Sequence, residues 1–250
     1  MRLINKDCFD VFNEFPDKHF DCIIADLPYQ VTKCKWDTML PLEPLWEQYK
    51  RIIKDNGCII LFGQGIFSAK LILSNEKDYK YTIIYEKTTP TGHLNSKKMP
   101  LRSHEDILVF YKKQPTYNPQ KTTGHVRKVS SANSRIKSIE RASNRDKVYN
   151  NEDITKVPNY DSTERFPTSV WKIKTDKQKS KLHPTQKPLE LLKRLILTYS
   201  NEGDYILDNV MGSGTTGVAC KILNRKFTGI EKDTEMFDIA KNRIYTHENN

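Results

Sequence analysis

No stretch of this sequence stays apolar for anything near the roughly 18 residues a membrane-spanning helix needs, so no such span and no membrane partner is expected. The first residues, Met1-Arg2-Leu3-Ile4-Asn5-Lys6-Asp7, lack the apolar stretch of a secretory signal. Cysteine is scarce. Cys8, Cys22, Cys34, Cys58 and Cys220 make an odd count with no paired metal-ligand spacing. Neither a disulfide framework nor a zinc site is expected from them; reduced, buried thiols in a cytoplasmic protein are. No internal repeat is visible.

What is present is a 250-residue chain, long enough for one large domain or a domain carrying a sizeable insertion. With 37% hydrophobic and 29% charged residues and a mean hydropathy of −0.68, the composition suits a soluble globular protein on the polar side. The net charge of +10 is concentrated. Residues 112–183 hold 17 Lys and Arg against 7 Asp and Glu, whereas the remainder holds 24 of each and is neutral. A basic block within a neutral scaffold fits a polyanionic partner; a solvated linker fits the charge equally well.

Texture divides the chain into three. In residues 1–111, Phe20–Ala25 reads as a buried strand, too short for a helix and ended by Asp-Leu-Pro. Leu42, Leu45, Trp46, Tyr49, Ile52 and Ile53 form a helical stripe over Leu42–Asp55, stopping before Asn56-Gly57. Cys58–Phe62 is the next strand, Phe67–Leu73 a helix, and Tyr81–Tyr85 and Ile107–Tyr111 are strands. Residues 112–182 lose this periodicity and read as loops with a few short elements. In 183–250 order returns: a helix opened by Pro188 runs to Tyr199 and a strand covers Tyr205–Asp208. A Gly-rich turn and a helix follow, then a strand over Phe227–Ile230 and a helix over Glu235–Tyr245. Strands alternating with helices imply an α/β fold, a doubly wound, mostly parallel sheet covered on both faces.

Three places carry chemistry. The first is Asp208-Asn209-Val210-Met211-Gly212-Ser213-Gly214-Thr215-Thr216-Gly217, in which a strand ends on a carboxylate and a Gly-x-Gly turn opens a helix. Glycines let a ligand approach the main chain, and the helix start offers free N–H groups. The spacing matches neither the dinucleotide fingerprint nor the phosphate loop. The second is Glu231, at the end of the next strand about twenty residues on, where a carboxylate can accept both hydroxyls of a ribose. Capping of the last helix is the plainer role for it. The third is Ala25-Asp26-Leu27-Pro28-Tyr29, after the first apolar strand and hence on the ligand-binding rim of an open sheet. Asp26 can accept from an amine, and Tyr29 offers a flat face.

In this order the motifs resemble the amino-group DNA methyltransferases that use S-adenosylmethionine. The Asp-Leu-Pro-Tyr segment precedes the cofactor motif, which is the permutation called the beta class. Lys35-Trp36-Asp37, Met99-Pro100-Leu101-Arg102-Ser103-His104-Glu105, Pro115-Thr116-Tyr117-Asn118-Pro119, Phe166-Pro167-Thr168-Ser169 and His183-Pro184-Thr185-Gln186-Lys187-Pro188 resemble further stretches of that family, nearly end to end. Two departures stand out: Asn209-Val210 replaces the usual Pro-Phe, removing an aromatic near the cofactor, and Leu27 replaces the first Pro of the tetrapeptide.

The resemblance implies a Rossmann-like methyltransferase domain, with 1–111 as its catalytic half, 112–182 as a target-recognition insertion and 183–250 as its cofactor-binding half. Asp26, Leu27, Pro28 and Tyr29 become the catalytic residues. The Asp26 carboxylate and the Leu27 carbonyl would hold an adenine amino group pyramidal for in-line methyl transfer, and Tyr29 would stack on the extruded base. No covalent intermediate is implied, and none of the cysteines stands in a Pro-Cys motif. Asp26, Asp208, Asn209, Met211, Gly212, Ser213, Gly214, Thr215 and Thr216 would surround S-adenosylmethionine. Glu231 would take its ribose, Asp7-Cys8-Phe9 its adenine side, and Thr185-Gln186-Lys187 would close over its amino-acid end. Lys187 as a plain surface lysine remains an equal alternative, and a structural role is favoured for His104 and His183. Lys121, Arg127, Lys128, Arg135, Lys137, Arg141, Arg145 and Lys147 would neutralise phosphates of double-stranded DNA. The family also implies a second copy of the chain and a cognate restriction endonuclease as candidate partners, and a cytoplasmic, nucleoid-associated enzyme of bacterial or phage origin. Asp at the head of the tetrapeptide favours the 6-amino group of adenine. The rival readings are the 4-amino group of cytosine, methylation of RNA or of a protein amide, and a DNA-binding regulator without catalysis.

Overall fold

The computed structural model describes residues 1–29, 39–137, 140, 159–175 and 186–247. They fall into two compact units, one of Met1–Asn118 with Thr168–Asn250 and one of Pro119–Pro167. In chain order the elements are β1 (Arg2–Ile4), α1 (Cys8–Val11), β2 (Phe20–Ala25), α2 (Leu42–Ile52), β3 (Ile53–Gly63), α3 (Ile66–Ser74), β4 (Tyr79–Thr91) and β5 (Arg102–Phe110). The smaller unit supplies β6 (Lys128–Ser130) and β7 (Tyr160–Ser162). Then come β8 (Val170–Ile173), α4 (Leu189–Tyr199), β9 (Tyr205–Asp208), α5 (Thr215–Ile222), β10 (Lys226–Ile230) and α6 (Thr234–Thr246).

Among the described residues of the larger unit, eight strands form one sheet in the order β1-β10-β9-β2-β3-β5-β4-β8. From β1 to β3 every neighbour is parallel, while β5 runs antiparallel between β3 and β4. The apolar run of β2 suits a central strand covered on both faces. One face packs against α4, α5 and α6 through Leu191, Leu195, Ile196, Val218 and Ile244. The other packs against α1, α2 and α3 through Val11, Leu45, Tyr49 and Leu71. The doubly wound, mostly parallel fold expected from the sequence is the fold observed.

Differences in detail have physical causes. The helical stripe predicted a helix to Asp55, yet α2 ends at Ile52 because Ile53 pairs with Phe20 and starts β3. Asn56-Gly57 therefore lies inside a strand, with a register shift between Phe20 and Cys22 absorbing the irregularity. β1 was not foreseen: three residues are too few for a periodic signal, and pairing with β10 makes them a strand. β8 comes from the aperiodic stretch but joins the main sheet beside β4, with Trp171 buried. The smaller unit is built around the antiparallel ribbon β6–β7 and the Thr122–Arg165 bridge. The Arg165 guanidinium donates there to the carbonyls of Val126, Ser162 and Glu164. Among the described residues no helix is long and apolar enough to cross a membrane.

The close fit of α5 to its neighbours gives a test. A Cβ at Gly217 would lie 2.4 Å from Ile244 Cδ1 and 2.7 Å from Phe227 Cε1, both on buried side chains. Replacing Gly by Ala within a helix ordinarily gains up to about 1 kcal/mol, whereas overpacking a filled core costs about 1–3 kcal/mol. The clash wins. Gly217→Ala is expected to lower the unfolding free energy by about 1–2 kcal/mol, seen as a lower denaturation midpoint at unchanged slope.

Candidate active site

β2 and β9 are neighbours in the sheet, paired at Cys22–Ile206 and Ile23–Leu207. The chain leaves β2 toward β3 on one side and β9 toward β10 on the other, so the strand order reverses between them. In open α/β sheets that crevice, beyond the carboxyl ends of the strands, is where ligands bind. Asp26 and Asp208 stand there, and both line one cavity of about 500 Å³.

Asp26 is held from two sides. The Tyr29 hydroxyl donates to its Oδ1 at 2.5 Å, and the Lys187 ammonium donates to its Oδ2 at 2.5 Å. Lys187 also pairs with Glu105 Oε2 at 3.1 Å, and Lys87 pairs with Glu105 Oε1 at 2.5 Å. Two ammoniums and two carboxylates thus form a chain from β4 and β5 to the tip of β2. Burial alone would push the Glu105 carboxyl up, but Lys187 and Lys87 outweigh it and hold it below its ordinary value. Burial likewise opposes the Lys187 charge, yet Asp26 and Glu105 raise its pKa above the usual lysine value. Burial and the adjacent Asp26 carboxylate lift the Tyr29 phenol well above its ordinary range, which keeps it a donor. The Tyr29 ring packs on Phe67 at 4.7 Å between centroids, and the Leu27 side chain is buried in the core.

On the other side of the crevice Asp208 accepts from Thr216 Oγ1 at 2.6 Å and from the Val210 amide at 3.2 Å. Burial lifts its pKa to about 7; Thr216 and Val210 oppose the shift, and the Asp26 and Glu231 charges add to it. Asn209 is buried, its Oδ1 accepting from the Tyr49 hydroxyl at 2.5 Å, so in place of an aromatic the chain ties this turn to α2. Glu231 accepts from the amides of Gly212 and Asp233, each at 2.9 Å, and burial raises its pKa. The α6 cap is Asp233, which accepts from the Met236 amide at 2.9 Å. Glu231 therefore clasps the Gly-rich turn.

The structure brings most of the singled-out residues into the one cavity. Asp7, Cys8 and the whole Asp26–Tyr29 segment line it from the first half of the chain. Gln186 and Lys187 line it too, as do Asp208, Asn209, Met211, Gly212, Ser213, Thr215, Thr216 and Glu231. Phe9 is not in its wall; it packs edge-on against Phe12. Gly214 is not in the wall either, but caps α5 in a left-handed conformation with φ 79°. Asp7 caps α1 through the Phe9 amide at 3.0 Å. Burial pushes the Cys8 thiol to about 11, leaving it an uncharged wall. Thr185 and His183 lie outside the described residues, as do Lys35-Trp36-Asp37 and Cys34; the other four cysteines are free and buried. His104 is exposed, and its carbonyl accepts from Gln64.

Within the smaller unit the basic residues are partly committed. Lys121 pairs with Glu164 at 2.9 Å and lies over Phe166; Arg127 pairs with Asp161, donating through Nε at 2.7 Å. Arg135 stacks over Tyr160, while Lys128 and Lys137 are exposed. Arg141, Arg145 and Lys147 lie outside the described residues. The sequence reading overlooked Lys87 and gave Glu105 no role. The available signal was a charged side chain on each of two strands otherwise headed into the core.

Residues 20–242 match the N6_N4_Mtase family, described as DNA methylases, and the chain belongs to that family. It is 30% identical to the type II methyltransferase M2.DpnII of Streptococcus pneumoniae, over 98% of this chain and 89% of that one. It is 28% identical to M2.MboI of Moraxella bovis, over 96% and 85% of the two chains. A crystal structure of an M1.HpyAVI–SAM complex superposes with a TM-score of 0.64 at 25% identity, covering 97% of this chain and 98% of that one. The PvuII methyltransferase, titled cytosine-N4-specific, shares the fold with a TM-score of 0.66 at 12% identity, over 99% and 86% of the chains.

The shifted Asp208 has a consequence for stability. Its pKa is about 7 in the fold against an ordinary 3.8, so the folded state binds this proton more tightly than the unfolded chain. Its stabilising contribution is complete below about pH 4 and is lost as pH rises through 7. Asp208→Asn should remove that loss, so the variant gains on the parent between those limits in urea midpoints taken across pH. Parallel profiles would contradict the assignment.

Proposed function

We propose that the chain is a site-specific DNA methyltransferase of the beta class that transfers methyl from S-adenosylmethionine to the 6-amino group of adenine in duplex DNA. The observation that carries this reading is the meeting of Asp26 and Asp208, from opposite ends of the sequence, on adjacent strand tips lining one cavity. The residues there suit the donor. The cavity is within the range of small-molecule sites, about 300–1,000 Å³. Asp208 and Glu231 line it with carboxyl oxygens that can accept from a ligand's donors, and Gly212, at φ 49°, has no atom beyond its chain neighbours within 4 Å of where its Cβ would be, leaving the main chain open to a ligand. When bound, S-adenosylmethionine supplies a methyl group made electrophilic by its sulfonium.

The chain's own part is positioning and charge. An adenine amine is a poor nucleophile because its lone pair is spread into the ring. A carboxylate has about four acceptor directions, and Tyr29 and Lys187 use two of those on Asp26. The remainder can accept an N–H of the base while the Leu27 carbonyl accepts the other. That localises the lone pair and aims it at the carbon to be attacked. As the N–C bond forms and the S–C bond breaks, the nitrogen becomes cationic, and Asp26 takes up its extra proton or passes it to water. Lys187, held by Glu105, fixes the carboxylate's orientation. Glu231 is the acceptor for the ribose hydroxyls, and the basic smaller unit is assigned to DNA phosphates. The restriction-modification setting of the type II relatives supports a cognate nuclease as partner.

Asp26→Ala is expected to lower methyl transfer by about a hundred- to a thousandfold, a loss of the size seen when a group holding the reacting centre is removed. The fold is retained, at a lowered thermal unfolding midpoint, because buried Lys187 then keeps Glu105 as its carboxylate partner. Long-read sequencing of DNA from cells expressing the chain, with mass analysis of its nucleosides, identifies the base. 6-Methyladenine in one sequence context supports the reading; 4-methylcytosine alone moves the reaction to the other amine; no modified base refutes it.

A further inference from the structure

The antiparallel half of the sheet does something the parallel half does not. β3 ends at Gly63, which pairs with Asp106 of β5, but β5 begins four residues earlier at Arg102, paired with Thr91 of β4. At about 3.4 Å per residue the β4–β5 hairpin rises about 14 Å beyond the rim on which Asp26 sits. Its stem belongs to the site. Thr91 and Arg102 line the same cavity as Asp26, and Lys87 of β4 and Glu105 of β5 reach Asp26 through Lys187.

The tip is built to present one side chain. Gly92 turns the chain at φ 92°, and a short 3-10 turn over His93–Asn95 is closed by the Asn95 amide to the Gly92 carbonyl at 2.9 Å. The Lys98 and Met99 amides then bond to the Asn95 carbonyl at 2.8 and 3.0 Å. Leu94, in the middle of this structured turn, is fully exposed at 101%, and Met99 is 56% exposed. Single exposed apolar residues are common and need no explanation. Here the exposed leucine crowns a projecting hairpin whose residues 91–102 include Lys97, Lys98 and Arg102 and no acidic residue. An apolar point set among cations fits a partner with an apolar interior and an anionic exterior, which is a base-paired duplex.

We propose that the β4–β5 hairpin enters the duplex beside the target base, with Leu94 as a wedge occupying the place in the stack that the extruded base leaves and Lys97 and Lys98 on the flanking phosphates. This rests on the function proposed above, because extrusion is required only if Asp26 acts on a base. Apolar side chains inserted between base steps offset unstacking, which costs a few kcal/mol. Leu94 is thus a positioning residue that acts through the duplex and touches no reacting atom.

The test uses the whole chain and duplexes bearing the context found by sequencing, some with the fluorescent analogue 2-aminopurine at the target position. Leu94→Ala should lower kcat/KM on fully paired duplex by about tenfold or more and weaken the emission rise that accompanies unstacking. A duplex mismatched at the target position, where less pairing must be broken, should restore the variant to within about threefold of the parent. Because Leu94 is fully exposed among the described residues, the variant's unfolding midpoint serves only to confirm the fold. Equal activity and emission in variant and parent would overturn the inference, as would the same loss on paired and mismatched DNA. If the parent methylates no DNA, the proposed function fails and takes this inference with it; parental activity with an indifferent Leu94 removes the wedge alone.

Discussion

Everything at the site depends on the pairing of β2 with β9. The two strands come from opposite ends of the chain, and a handful of backbone hydrogen bonds at Cys22–Ile206 and Ile23–Leu207 bring their tips side by side. Because parallel strands end at a common rim, the carboxylates that follow them are set at neighbouring points without any loop having to reach. The core beneath enforces the register: Cys22, Ile24 and Ile206 pack toward one helical layer, and Ile23, Ala25 and Leu207 toward the other. A one-residue slip would turn each set to the wrong face, so the spacing of Asp26 and Asp208 is fixed by the same burial that stabilises the sheet.

Carboxylates gathered at a half-buried rim repel one another, and the fold answers differently on the two sides of the crevice. Among the described residues no cation pairs with Asp208; burial and the charges of Asp26 and Glu231 raise its proton affinity, and the Thr216 and Val210 donors offset only part of that. Asp26 is paired with Lys187, which is itself shared with Glu105 and, through it, with Lys87. Burying such a network is of little net benefit to stability when compared with well-packed apolar side chains, though removing one member leaves a costly orphan. Its value here is geometric, since a carboxylate gripped by a phenol and an ammonium keeps one orientation and still has acceptor capacity to spare.

The layout of strands and helices was legible because it rests on runs and stripes of apolar residues. Phe20–Ala25 and the Leu45, Trp46, Tyr49 and Ile52 stripe say where they must be buried. The Asp-Leu-Pro-Tyr and Gly-Ser-Gly segments were legible because both follow such strands directly. What could not be read is what depends on non-local pairing. The three residues of β1 become a strand only through β10, and β3 starts inside a predicted helix because Phe20 claims Ile53. The partner of Lys187 is likewise a matter of space. One lysine before a proline says nothing of carboxylates 161 and 82 residues earlier in the sequence, and only the sheet brings Asp26 and Glu105 to it. Glu231 was read for its distance from the glycines, and its contact with the Gly212 amide gives that spacing a physical reason.

The mixed character of the sheet bears on what the molecule can touch. A parallel strand must hand over to a crossover helix soon after its end, so its tip stays close to the rim and can offer a carboxylate or a glycine turn at one level only. An antiparallel pair has no such obligation, because its connection is a hairpin that can be as tall as its strands are long. β4 and β5 use that freedom, extending past the end of β3 while Lys87 and Glu105 keep their base tied to Lys187 and so to Asp26. Under the proposed function, the parallel half is where a small molecule and a single base would meet. The antiparallel half supplies height, which a protein needs when the base it acts on begins inside a stack and the backbone around it stays outside.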